Sequence, residues 1–93
     1  MYKLYEYHDG DMKIAVILSD KEKLLYIGSR LYSAKTNATP NKTVLNSDIT
    51  GRGIVKVVLE PYSVSIAGID VQPVYTHEAE DKASILQYWQ SRL

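Results

Sequence analysis

Ser19-Asp20-Lys21-Glu22-Lys23-Leu24-Leu25-Tyr26-Ile27-Gly28-Ser29-Arg30-Leu31-Tyr32-Ser33-Ala34 supports two incompatible architectures. Ser19 followed three residues later by Glu22 has the form of a capping box, in which hydroxyl and carboxylate each satisfy a backbone N–H left over at a helix start. Leu24, Ile27, Leu31 and Ala34 then recur at helical spacing, and Leu25 and Tyr32 widen the stripe. This reading predicts a helix over about 20–34, in which Gly28 costs roughly 1 kcal/mol relative to Ala. The competing reading makes Ser19–Glu22 a turn and Lys23–Ile27 the third strand of a meander. The helix is the expectation carried forward.

Upstream, residues 2–18 read as a hairpin. Asp9-Gly10 is a favoured pair for a tight turn whose central positions need positive φ. With those two residues in the loop, Glu6 faces Lys13 and Tyr5 faces Ile14, so an opposite-charge pair and a Tyr–Ile pair support one register.

Downstream, residues 35–53 show no apolar periodicity and hold two runs of turn chemistry, 35–43 and 46–53. They predict a long flexible loop, within which Val44-Leu45 could dock on the core or form a short strand. Three strand-like runs follow. Ile54–Leu59 is apolar enough to be buried on both faces, and Tyr62, Val64 and Ile66 alternate inward. After a tight Ala67-Gly68 turn, Ile69–Gln72 continues to Val74-Tyr75, with Pro73 marking an edge strand. A C-terminal helix is capped by Thr76 and carries Glu78, Glu80 and Asp81 in its first turn, where the dipole favours negative charge. Its apolar face is Ala79, Ala83, Leu86, Trp89 or Gln90, and Leu93, with Ile85 beside it. The expected fold is α+β: a mainly antiparallel sheet of about five strands with two helices on one face. The order is β-β-α-loop-β-β-β-α, in a single domain spanning 1–93.

The composition narrows function by exclusion. Among 93 residues, 11 Lys and Arg balance 11 Asp and Glu, and 45% are hydrophobic. That balance argues against a generally basic nucleic-acid binder and against an acidic disordered tail. Cysteine is absent, which removes disulfides, thiolate metal sites and a cysteine nucleophile, and makes the cytoplasm the expected compartment. No run approaches 18 apolar residues, so no membrane association is expected. No Gly-x-Ser-x-Gly elbow or nucleophile–base constellation is present, and an enzyme is not expected. His8 and His77 lack ligand spacing; neither a metal nor a cofactor is expected.

Two groups of residues remain as candidates. Residues 21–56 carry seven basic side chains against Glu22 and Asp48, whereas 57–81 carry five acids and no base. Within the basic run, Gly51-Arg52-Gly53 could bring backbone amides and a guanidinium onto an anion, with Lys42 and Lys35 as basic neighbours. The sequence is not a Walker loop, and a flexible lead-in to the following strand accounts for the glycines equally well. The second group is aromatic: the chain holds eight Tyr, one Trp and no Phe. Rings with a polar tip suit interfaces, and Tyr2, Tyr5, Tyr7 and Tyr75 are the interface candidates. The expected function is a small protein-binding module, a homodimer or bound to a protein partner. The alternative is a binder or processor of an anionic small molecule or nucleotide, or of nucleic acid, through the basic 35–53 loop.

Overall fold

The computed structural model describes the backbone of residues 1–77 and 81–93, without the side chains of 75–77. It is 61% strand, in two five-stranded antiparallel sheets with a single short C-terminal helix, which overturns the expectation of two helices on one sheet. The strands are β1 (Tyr2–Asp9), β2 (Met12–Leu18), β3 (Lys23–Ile27), β4 (Arg30–Tyr32), β5 (Lys35–Thr39), β6 (Lys42–Ile49), β7 (Gly53–Glu60), β8 (Ser63–Ile66), β9 (Ile69–Val71) and β10 (Pro73–His77); the helix α1 is Lys82–Ser91. No helix among the described residues is long and apolar enough to cross a membrane.

The chain forms two compact units, Met1–Tyr32 with Pro73–Leu93, and Ser33–Gln72. In the first unit the sheet order is β10-β1-β2-β3-β4, a four-strand meander with β10 returning to the outer side of β1. The stretch expected as a helix is the β3–β4 hairpin. Ser19 does cap: its hydroxyl accepts from the N–H of Lys21 and of Glu22, and its own N–H donates to the Glu22 carbonyl at 3.0 Å. The capping closes a four-residue turn between β2 and β3 instead of opening a helix. Gly28 explains why the chain turns again. It sits at φ 60 in the two-residue Gly28-Ser29 turn, the position where a type II′ hairpin wants glycine. Leu24, Leu25, Tyr26 and Ile27 are therefore successive residues of a strand clothed on both faces, not one stripe of a helix.

The β1–β2 hairpin forms with a different loop. Asp9 pairs with Met12, so the turn residues are Gly10 and Asp11, and Glu6 lies opposite Ala15 and Tyr5 opposite Val16. Only Gly10 of the turn pair has positive φ, again the type II′ pattern. The pairing moves by two residues along β2, so every side chain keeps the face it was expected to have while the Glu6–Lys13 pair is lost.

One face of this sheet is covered by α1. Leu4, Ala15, Ile17, Ile85 and Trp89 are fully buried together, with Tyr2, Leu24, Tyr26, Leu86 and Tyr88 around them. Asp81 is the N-cap, accepting from the Ser84 N–H at 2.9 Å, and the buried pair Ile85 and Trp89 is one helical turn apart. Thr76 lies in β10 instead of capping, and Ala83 is exposed. Glu78, Ala79 and Glu80, expected in the first turn of the helix, lie outside the described residues. The Trp89 indole N–H donates to the Gly28 carbonyl at 2.8 Å, which ties the helix to the β3–β4 turn. Two charged contacts hold its ends: Lys82 with Glu22 at 3.0 Å, and Arg92, which forks onto both Glu6 oxygens at 2.6 and 2.8 Å. On the opposite face of the sheet Tyr5, Ile14, Val16 and Leu25 are buried.

The second unit is a plain meander, β5-β6-β7-β8-β9. The segment expected to be a flexible loop supplies β5 and β6, joined by a Pro40-Asn41 turn. One face carries the buried side chains Leu45, Ser47, Ile49, Val55, Val57, Leu59, Val64 and Ile66. Strand β7 alternates instead of being buried on both faces, with Ile54 and Lys56 exposed. Tyr62, expected inward, stands fully exposed in the Pro61-Tyr62 turn, while Val64 and Ile66 point in as expected. The predicted final strand is two strands. Ile69–Val71 completes the second sheet, and Pro73 opens β10, an edge of the first.

Candidate functional site

Gly51-Arg52-Gly53 forms the connection between β6 and β7. The Arg52 N–H donates to the Ile49 carbonyl at 2.9 Å, and Gly51 and Gly53 take φ of 79 and 88. Positive φ at Gly51, the third residue of the turn, is what a type II turn requires. A Cβ on either glycine would meet nothing within 4 Å. The backbone angles, not a close approach, account for both glycines. Lys42 lies at the far end of β6 from Arg52. Strand β6 runs eight residues from Lys42 to Ile49, which places Lys42 about 24 Å from the Arg52 turn. Lys35 starts β5, opposite Asn46.

The four candidate tyrosines lie on the paired strands β1 and β10. Tyr5 is buried and its hydroxyl pKa is raised by that burial. Tyr7 is half-buried opposite Ile14. The half-buried Tyr2 donates its hydroxyl to Glu22 at 2.8 Å. That bond raises the Tyr2 pKa and is the foremost cause of the lowered Glu22 pKa, with Lys82 acting in the same direction on Glu22. Tyr75 lies opposite Leu4 in β10, and its side chain lies outside the described residues. Strand β1, which carries three of the four candidate tyrosines, is an interior strand flanked by β10 and β2.

The structure instead brings together residues at the start of β5. Ser33, Ala34, Lys35, Asn46, Asp48 and Ile54 line an open groove of about 470 Å³. Lys35 is paired across the ladder with Asn46, and Asp48 with Ile54; Asn46 and Asp48 are two apart on β6 and share a face. Beneath them Ser47 is buried and donates its hydroxyl to the Ser33 carbonyl at 2.9 Å, which fixes the Ser33–Ala34 corner over the strand. Of these residues the sequence singled out only Lys35. The one local signal for the strand that carries it was the Pro40-Asn41 turn pair that follows Lys35–Thr39.

Beside the groove, β5 is an edge. All five of its residues are exposed, and it pairs only with β6. Among the described residues no group of three His, Asp or Glu side chains stands together as a metal site. No protein-family model, curated protein or solved structure matches the chain.

Proposed function

We propose that the chain is a small cytoplasmic protein-binding module that associates with a second copy of itself, strand to strand, along the outer side of β5. The observation that supports this reading is the contrast among the four edges of the two sheets. Strands β4 and β9 have three residues each, and β9 carries Asp70. Strand β10 opens with Pro73 and has an irregular register against β1. Short length, charge, proline and bulges are the usual protections of a sheet edge. Strand β5 pairs in unbroken register with β6 over Lys35–Thr39, holds no proline and no bulge, and carries its one charge, Lys35, at its first residue. It is the edge best suited to strand addition.

The register defines the contact. Thr39 and Lys42 close a two-residue turn, so they form the hydrogen-bonded pair, and the antiparallel alternation bonds Thr39, Asn37 and Lys35 to β6. The N–H and C=O of Thr36 and Ala38 then point outward. Two copies related by a two-fold axis at Asn37 bond Thr36 of each to Ala38 of the other. Asn37 faces its own copy as the close, non-hydrogen-bonded pair, with Cα atoms about 4.5 Å apart. That spacing suits a disulfide.

The chain has no cysteine, so Asn37→Cys gives a clean test. Mild oxidation of this variant should yield a covalent dimer at a rate that increases with protein concentration. Cysteine placed at Thr43, on an interior strand, should not cross-link. Equal cross-linking at the two positions rejects the β5 contact.

A further inference from the structure

We infer that the groove at the start of β5 is a binding site for a small zwitterion with an aliphatic body, an α-amino acid of the leucine type. The groove's volume of about 470 Å³ falls within the roughly 300–1,000 Å³ of small-molecule sites. Its chemistry is unusual for a sheet surface, because a cation and an anion share it without meeting. Lys35 lies opposite Asn46, and Asp48 is the next residue on that face of β6, which makes Lys35 and Asp48 diagonal neighbours about 7–8 Å apart. Among the described residues the side chains of Lys35, Asp48 and Asn46 make no hydrogen bond or ion pair. Lys82 and Glu22, by contrast, close onto one another at 3.0 Å.

A ligand that fits between the two charges must carry both complements. A carboxylate would sit against the Lys35 ammonium, with the Asn46 amide as a second donor. An ammonium would sit against the Asp48 carboxylate, and an aliphatic chain would lie on Ala34 and Ile54. Ile54 is 70% exposed, the most exposed aliphatic side chain among the exposed large hydrophobics, so covering it removes apolar area from water. A lone anion would leave Asp48 without a partner and a lone cation would leave Lys35 without one, so a ligand that carries both charges satisfies the groove where a singly charged one does not. The Ser47–Ser33 hydrogen bond holds the backbone corner that walls the groove.

The test is an amide NMR titration of the full chain with leucine. Two comparators each lack one charge: 3-methylbutylamine and 4-methylpentanoate. Leucine should shift the amides of 33–35, 46–48 and 54 saturably at millimolar concentration, and each comparator should bind at least roughly tenfold more weakly. Lys35→Gln and Asp48→Asn should each lose leucine binding at an unchanged amide spectrum elsewhere. Asp48→Asn should also admit 4-methylpentanoate better than the parent does. Comparators that bind as well as leucine, retention of leucine binding in both variants, or no saturable shift at all would each overturn the inference. These outcomes are independent of whether copies of the chain pair through β5.

Discussion

Ala67 is the one non-glycine residue among those described that has positive φ, at 52, and with Gly68 at 82 it forms the turn between β8 and β9. Both central residues in the left-handed region define a type I′ turn, for which Asn-Gly is the preferred pair. Alanine there costs roughly 1 kcal/mol or more through the clash of its Cβ with the backbone. The Ala67 N–H is nonetheless committed, donating to the Lys56 carbonyl at 2.9 Å, so the surrounding ladder holds the residue in place. Ala67→Asn should therefore raise stability by about 1 kcal/mol, read as a higher urea midpoint at unchanged slope. This turn was legible in the sequence because turn chemistry is local. The Ser19 motif was local too, yet it misled for a definite reason. An N-cap serine accepts from the N–H groups two and three residues on, and Ser19 accepts from those of Lys21 and Glu22 in a turn between strands. The contacts that distinguish the two outcomes are those of Leu24, Leu25 and Tyr26 with β2, and these are not written within the segment.

At the scale of elements, α1 is a short helix held by what it touches. Trp89 and Ile85 are fully buried against β1 and β2, and Trp89 is the only tryptophan, so its fluorescence reports docking of the helix. The amino end of the helix depends on two carboxylates. The Tyr2 hydroxyl, then the Lys82 ammonium, hold the Glu22 pKa below its ordinary 4.5. The Ser84 N–H holds that of Asp81 below 3.8. A carboxylate depressed in the folded state stabilises the fold above its unfolded value, and that contribution is lost as pH falls through the lower folded value. The thermal midpoint, followed by Trp89 emission, should therefore fall as pH drops below about 4.5. Glu22→Gln and Asp81→Asn should each lower the midpoint at neutral pH and make the acid limb shallower. An acid limb that is the same in both variants as in the parent would show that neither group is coupled to folding. The helix was legible as an element, but its expected face ran through Ala83, Leu86, Trp89 or Gln90, and Leu93 with Ile85 beside it, whereas the residues it buries are Ile85 and Trp89. Strands β5 and β6 were not legible. An edge strand exposed at all five residues has no apolar periodicity to read, and β6 alternates only against a partner that looked like loop.

For the whole molecule, each of the two runs of opposite charge in the sequence is divided between the two units. Lys21, Lys23 and Arg30 belong to the unit formed by 1–32 and 73–93, whereas Lys35, Lys42, Arg52 and Lys56 belong to 33–72. The first unit holds seven basic and eight acidic residues and the second four and three, so each is close to neutral. Long-range attraction therefore contributes little to association, and surface shape and edge hydrogen bonding must supply it. Four outward backbone bonds per β5 pair, each worth about 1 kcal/mol net, match only the low end of the cost of immobilising two molecules, so pairing is weak and depends on concentration. The most direct test is sedimentation equilibrium of the parent and of Ala38→Pro over a wide range of protein concentration. Proline at 38 removes an outward N–H while leaving the β5–β6 bonds intact. The parent should shift from monomer toward dimer as concentration rises, and Ala38→Pro should stay monomeric with the same circular dichroism spectrum. A parent that remains monomeric throughout, or a proline variant that dimerises like the parent, would contradict self-association through β5.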